Sequence, residues 1–215
     1  MKNTRHGGSF VRISYLYNTL FYWRLVLVNF SSEQWDQSSL FESEFPYIEI
    51  SGVNLLLGRL SLPLPIVPIA EAANRAKMLV RPRDLLVSLT RPTRRAICLA
   101  PADMPLSVAS NGFCIIRDFK DTNLDSRFLL HVLRSRLCTE QFDQRSSGGN
   151  YPAITEEQLS RVIVPMTTPA EQRRIAALLD QQYIKAEQLF FQARADFEKA
   201  KRDIEALILG KESSA

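Results

Sequence analysis

The sequence predicts an α+β protein: a mixed α/β domain with short, irregular strands, followed by one long C-terminal coiled-coil helix. Three observations carry that prediction. From Phe45 onward, short β-prone runs such as "FPYIEI" are separated by turns containing Gly, Pro, Asn and Asp. Two helix openings carry capping residues, at Asp125 and at Thr155 with Gln158. Between Ala170 and Leu209 no Gly or Pro occurs, and apolar residues recur in strict steps of three and four.

The elements follow in order. "FPYIEI" alternates as a strand, and "SGVNLLLGRL" supplies a Gly-bounded turn and a further strand. "LLVSL", "RAICLA" and "FCIIR" are three more short strands. Asp125 then caps a helix whose apolar face reads Phe128, Leu129, Val132, Leu133 and Leu137. "RSSGGNYPAI" is a loop by composition, and Thr155 opens a short helix before "RVIVP". No internal repeat is visible, and the strand spacing does not suit a doubly wound sheet.

The chain of 215 residues is long enough for one sizeable core and an appendage. Cys98, Cys114 and Cys138 are odd in number, form no C-x-x-C pair and sit in apolar neighbourhoods, as reduced thiols of a cytoplasmic protein would. His6 and His131 lack ligand spacing to any cysteine, so no zinc site is expected. The apolar stretch from Ile13 to Phe30 is broken by Asn18 and Arg24 and is short for a bilayer. It has no cleavage-site pattern either. It is expected to pack on the core or to be upstream sequence that the native protein does not use, and no membrane partner is expected.

The long helix opens with Thr168 as cap, Pro169 at the first helical position and Glu171 two further on, which satisfies the orphan amides and complements the helix dipole. Gly210 is placed to end it. Its apolar residues, Ala176, Leu179, Tyr183, Ala186, Phe190, Ala193, Phe197, Ala200, Ile204 and Leu207, follow a 3.5-residue repeat, the mark of a coiled-coil seam. About forty residues of helix extend roughly 60 Å, more than one domain face covers.

One set of seam positions is mostly bulky (Tyr183, Phe190, Phe197, Ile204) and the other has alanines at Ala186, Ala193 and Ala200. Antiparallel pairing lets large side chains meet small ones. Parallel pairing stacks Phe on Phe, and overpacking costs about 1–3 kcal/mol per site. The chain offers no second helix of that length, so the partner comes from another molecule. Eight Lys/Arg balance eight Asp/Glu between Glu171 and Glu212, with Glu198–Arg202 and Lys201–Glu205 at surface-pair spacing. The rest of the rod therefore reads as solvated.

The positive excess lies elsewhere. Between Arg75 and Arg95 stand Arg75, Lys77, Arg81, Arg83, Arg91, Arg94 and Arg95 against Asp84 alone, seven minus one, in a chain of net +4. "LTRPTRR" puts Arg91, Thr93, Arg94 and Arg95 in a Pro-bounded loop, where three arginines cannot all find local carboxylates. Arginine forks suit phosphate oxygens and the major-groove edge of guanine. A second polar loop, Arg145, Ser146, Ser147, Asn150 and Tyr151, offers short donors beside glycines that let backbone approach a ligand. These two loops, with Arg75 and Lys77, are the candidate DNA-binding residues. No phosphate-binding loop, Gly-rich cofactor turn or nucleophile elbow occurs, and "LGKES" fails the required spacing. No catalytic residue, metal or cofactor is expected.

Five segments carry a resemblance: "FPYIEISGVNLLLGRL", "NRAKMLVRPRDLLVSLTRPTRRAICLA", "VASNGFCIIR", "SSGGNYPAITEEQLSRVIVP" and "AEQRRIAALLDQ". In this order, from Phe45 to Gly210, they resemble a target-recognition domain and following helix of type I restriction–modification specificity subunits. The resemblance implies a non-catalytic DNA-reading subunit that recruits a methyltransferase (M) subunit and a restriction (R) subunit. The division it implies is an N-terminal segment of unassigned role over 1–44, a recognition domain over 45–167 and a pairing helix over 168–212.

The chain departs from the family pattern in three places. Family members usually carry two recognition domains and two long helices, and this chain has one of each. Thr167, Thr168 and Pro169 stand where a Pro-Pro-Leu-like run is common, and the first forty or so residues do not match. A single copy with an unpaired seam reads as a half-subunit that pairs with itself or with another half over a bipartite DNA site. The principal alternative is a coiled-coil adaptor whose head binds another protein. A stand-alone metal-dependent nuclease and a truncated remnant are the further readings.

Overall fold

The computed structural model describes residues 21–25, 28–37, 40–119 and 123–210. In β3 (Glu44–Ile48) the alternation read from "FPYIEI" is realised on two faces. Phe45 and Tyr47 pack with Trp35, Leu79 and Val108, whereas Ile48 packs with Met78, Val80 and Ala109. The strand belongs to a four-stranded sheet with β6 (Ile66–Pro68), β7 (Ala76–Val80) and β10 (Ser107–Ser110), in the order β6-β3-β10-β7. Its β3–β10 pair is parallel and the other pairs are antiparallel.

A second, antiparallel sheet orders β2 (Val28–Phe30), β11 (Phe113–Phe119), β8 (Leu85–Ser88) and β9 (Ile97–Leu99). Leu86, Cys98, Phe113 and Ile115 point into the same core as Ile48 and Met78, so the two sheets pack face to face. The opposite residues Leu85, Val87, Cys114 and Ile116 are buried as well. That double burial explains why "LLVSL" and "FCIIR" read as continuous apolar runs rather than alternating ones.

Two small pairings complete the head. β4 (Val53–Asn54) and β5 (Arg59–Leu60) form a hairpin whose turn is held by Asn54 Oδ1, accepting from Leu56 and Leu57 N–H at 3.0 Å each. β1 (Phe21–Arg24) lies antiparallel to β12 (Ile163–Met166). Residues ahead of Phe45 therefore supply strands and the buried Leu25, Val28 and Trp35. His6 and residues 13–20 of the apolar stretch fall outside the described residues.

Asp125 caps α1 (Ser126–Leu133) as expected, its Oδ1 accepting from Arg127 and Phe128 N–H. The helix then stops, where the sequence pattern predicted a continuous apolar face to Leu137. Ser135 takes extended backbone and a new helix, α2 (Arg136–Arg145), turns Cys138 and Phe142 inward while Leu137 is exposed. The capping box at Thr155 and Gln158 opens α3 (Glu156–Ser160).

α4 runs Pro169–Ile208, with Thr168 Oγ1 accepting from Glu171 N–H, and Gly210 follows it at φ +65°. The chain divides into two compact units between Ile175 and Ala176. Along the second unit, Leu179, Phe190, Phe197, Ile204 and Leu207 are exposed, as are Ala186, Ala193 and Ala200, and Tyr183 is half-buried. Ala176 is fully buried, whereas the positions of the repeat from Leu179 onward are exposed or half-buried. Lys201 pairs with Glu198 at 3.5 Å rather than with Glu205. The remaining surface is less polar than its charge balance suggested, because Leu178, Ile184, Leu189 and Phe191 are also exposed. No helix among the described residues is long and apolar enough to cross a membrane.

Candidate functional site

Strand pairing brings the two candidate loops together. Thr90 and Ala153 form an antiparallel bridge, Arg91 N–H donates to Pro152 O at 2.6 Å, and Ile154 N–H donates to Leu89 O at 3.0 Å. Ser147 and Ala153 exchange backbone bonds of 3.0 and 2.9 Å, closing the second loop on itself. Gly148 is required there: its φ is +97°, and a Cβ would sit 3.1 Å from Tyr151 O.

The first loop is a 3-10 turn, Pro92–Arg94, flanked by Arg91 at φ 48° and Arg95 at φ 59°. Both flanking residues are left-handed without being glycine, a conformation that costs roughly 1–3 kcal/mol per residue. The surroundings hold it. Arg91 is tied to Pro152, and Arg95 O accepts from Arg134 Nη1 at 2.7 Å. Pro92 is buried beneath the turn, Thr93 is half-buried, and Arg94 and Arg95 are exposed. The Arg91 guanidinium lies 4.2 Å over the Tyr151 ring and donates to Asn150 O at 3.2 Å. Tyr151 is 71% exposed, so this stacked pair is a planar, cationic surface element.

Around the loops run two adjoining depressions of about 270 and 360 Å³ that share Ile50, Ser51 and Thr90. The first is lined by Arg91, Arg94 and Tyr151, the second by Glu49, Arg75 and Asn111. Arg75 binds Glu49 at 2.5 Å. Among the described residues, Arg91, Arg94 and Arg95 make no ion pair.

Other candidates stand apart from this groove. Arg145 donates to Gln141 O within its own helix and lines a separate cleft with Gln144, Arg161 and Ile163. The Ser146 hydroxyl is occupied in capping α2, donating to Phe142 O at 2.7 Å. Lys77 is half-buried on β7 and does not line the groove. Ser147 and Asn150 remain exposed beside Tyr151.

Sequence reading missed three contributors. Glu49 read as one more residue of an alternating strand. Arg134 drew no assignment, yet it is buried and donates to the carbonyls of Leu55, Leu56, Arg95 and Ile97. Arg117, Asp84 and Glu33 form a half-buried network, with Arg117 Nη2 to Asp84 Oδ2 at 2.8 Å, and Arg81 joins it through Glu33 at 2.7 Å. Its members come from segments far apart in sequence.

Cys98, Cys114 and Cys138 are free and buried. Burial pushes the Cys98 and Cys138 thiols up to about 12 and raises Cys114 further. Among the described residues no cluster of His, Cys, Asp or Glu is placed to hold a metal ion.

No family model and no curated protein sequence matches the chain. Solved structures do. The HsdS subunit of Thermoanaerobacter tengcongensis is 28% identical with a TM-score of 0.67, over 87% of this chain and 49% of that one. A chain from a structure on complex assembly and conformational transition of the type I R-M system is 26% identical with a TM-score of 0.71, over 92% of this chain and 50% of that one. The type I restriction–modification S subunit of M. genitalium shares the fold at 15% identity and a TM-score of 0.56, over 93% of this chain and 49% of that one. The chain thus spans about half the length of the structures it matches. Fold, identity and coverage bear out the resemblance carried by the five sequence segments: over most of its length the chain is similar to one half of type I restriction–modification specificity subunits.

Proposed function

We propose that the chain is a sequence-specific DNA-binding half-subunit that pairs through α4 and directs methyltransferase and restriction subunits to a bipartite site. The observation that carries this is the meeting of the two polar loops, which sets Tyr151 beside Arg91 and Arg94 in one groove, with Arg91, Arg94 and Arg95 unpaired by carboxylates among the described residues. Folding gives Arg75 and Arg81 carboxylate partners, Glu49 and Glu33, which those three arginines lack among the described residues. Their forks grip phosphates and fix register, and base edges are read from the groove between the loops.

Pairing follows from the exposed seam. Phe190 and Phe197 nest over Ala186 and Ala193 of a partner only when the two helices run antiparallel. Each helix carries one recognition domain at its N-terminal end, so two readers are held apart by a coil of up to roughly 60 Å. A homodimer then demands an inverted-repeat target. The off-seam Leu178, Ile184, Leu189 and Phe191 are more apolar surface than a two-stranded seam covers, and they give an M subunit a place to pack. The chain itself is taken to be non-catalytic and to work in the cytoplasm.

The test is light-scattering mass of the purified chain followed by selection of bound DNA from a random pool. The expected result is a dimer that enriches an inverted repeat. Five neutralised phosphates give a slope of about −4.5 for log affinity against log salt. Replacing Arg91, Arg94 and Arg95 together by Ala abolishes binding with the fold intact. A monomer at micromolar concentration, or undiminished binding by the triple variant, overturns the reading.

A further inference from the structure

Glu49 is out of place in a groove meant for phosphates. It lines the larger depression, about 360 Å³, one step from Arg91 and Arg94, and its side chain is 39% exposed. A carboxylate there repels the DNA backbone unless it serves the reading of a base. Its bonds show what it serves. Glu49 Oε1 accepts from Arg75 Nη2 at 2.5 Å, and Oε2 accepts from Ser51 Oγ at 3.1 Å. Arg75 Nε makes a long contact of 3.4 Å to Tyr47 Oη. These contacts occupy the Nε–Nη2 edge of the guanidinium and leave the Nη1–Nη2 edge without a partner among the described residues. The ion pair also holds the Glu49 carboxyl below its ordinary range, chiefly through the Arg75 hydrogen bond, so it stays charged at neutral pH.

Two parallel N–H donors held in a fixed plane match the O6 and N7 acceptors of guanine in the major groove. A guanidinium that grips phosphate needs no such orientation, and Arg94, on the neighbouring turn, has no carboxylate clamp among the described residues. Resting on the DNA-binding reading above, we infer that the Glu49–Arg75 pair is a specificity element of the groove: Arg75 reads a guanine through its free edge and Glu49 is the positioning residue that fixes its plane.

The experiment is random-pool selection with the full-length wild-type chain, followed by competition binding of every single-base variant of the selected duplex to wild type, R75K, E49Q and R94A. R75K keeps the charge and loses the fork. E49Q keeps the shape and loses the ionic clamp. The expected result is that R75K lowers the preference for guanine at one base pair of each half-site by about 10- to 100-fold, that E49Q relaxes the same position, and that R94A weakens all sequences alike. Wild-type preferences retained at every position by both R75K and E49Q overturn the inference, as does relaxation confined to A·T positions. Failure of the wild-type chain to enrich any sequence refutes the DNA-binding reading itself, and that outcome is distinct from both.

Discussion

Arg134 offers the sharpest test of how the fold supports the arginine loop. Its buried guanidinium makes no ion pair among the described residues and instead donates to four main-chain carbonyls, with bonds of 2.7, 3.3, 2.8 and 3.0 Å. Replacement by Met keeps most of the volume and removes every donor. Bonds from a charged group contribute about 1.5–3 kcal/mol each, and relief of the guanidinium's desolvation, several kcal/mol, offsets roughly half of that gross loss. We expect Arg134→Met to destabilise by about 3–5 kcal/mol. With a urea slope of about 2 kcal/mol per M, the midpoint falls by roughly 1.5–2.5 M at fixed chain concentration. A companion variant checks the cause. A Cβ at Gly58 would lie 2.6 Å from Arg134 Nε, and four bonds prevent that side chain from moving aside. Gly58→Ala should therefore cost more than the 1–2 kcal/mol or so of a left-handed residue, and the excess should vanish in the Arg134→Met background. A midpoint shift below about 0.5 M for Arg134→Met, or additive single and double variants, refutes the reasoning.

Three further outcomes are expected. The buried Gln172 amide accepts from Asp125 N–H and donates to Thr167 O, both at 2.9 Å; Gln172→Ala should cost about 2–3 kcal/mol in the same urea titration, and a loss near zero would show that water replaces both bonds. Glu33 has its carboxyl lowered first by the Arg81 hydrogen bond and then by Arg117. Its folded pKa lies below the unfolded value, so its contribution is present above the unfolded pKa and is lost as pH falls through the folded one. The difference in melting temperature between wild type and Glu33→Gln should accordingly be full at neutral pH and shrink below about pH 4; a difference constant across that range contradicts it. The three buried thiols should react with an aromatic disulfide at pH 8 only as fast as the chain opens, and prompt labelling without denaturant would place at least one of them at the surface.

What was legible in the sequence is what local chemistry decides. The capping residues Asp125, Thr155 and Thr168 fix helix starts within a few residues of themselves, and all three act as read. The break after Leu133 was illegible because Leu129, Leu133 and Leu137 keep helical spacing. Ser135 tips the balance only once Cys138 and Phe142 have somewhere to bury. The two polar loops could be found from composition, but their meeting depends on the Thr90–Ala153 bridge, a contact between residues more than sixty positions apart. Glu49 was hidden for a related reason. Its strand pattern is ordinary, and only the fold sets it opposite Arg75. The apolar repeat of α4 was readable from period alone, whereas the burial of Ala176 was not, since a heptad pattern carries no information on which of its positions the chain itself covers.

Two sets of arginines in the head differ in their surroundings, and the contrast argues for the groove. Arg117 and Arg134 are buried or half-buried and satisfied by fixed acceptors, Asp84 in one case and main-chain carbonyls in the other. They build the head and are unavailable to a ligand. Arg91, Arg94 and Arg95 are the converse: exposed or half-exposed, without carboxylate partners among the described residues, and carried on a turn whose flanking residues hold left-handed backbone. A turn that served only to connect β8 and β9 would relax at little cost by placing glycine at either flank. Arginine at both flanks costs conformational energy and concentrates like charge, two penalties that fold stability alone does not explain. Arg134 then closes the connection between the populations, because a buried cation donates to the carbonyl of Arg95 and holds the strained turn from beneath. The head thus uses one set of arginines to fix the position of another, and under the proposed function the second set gains its favourable energy only when an anion arrives.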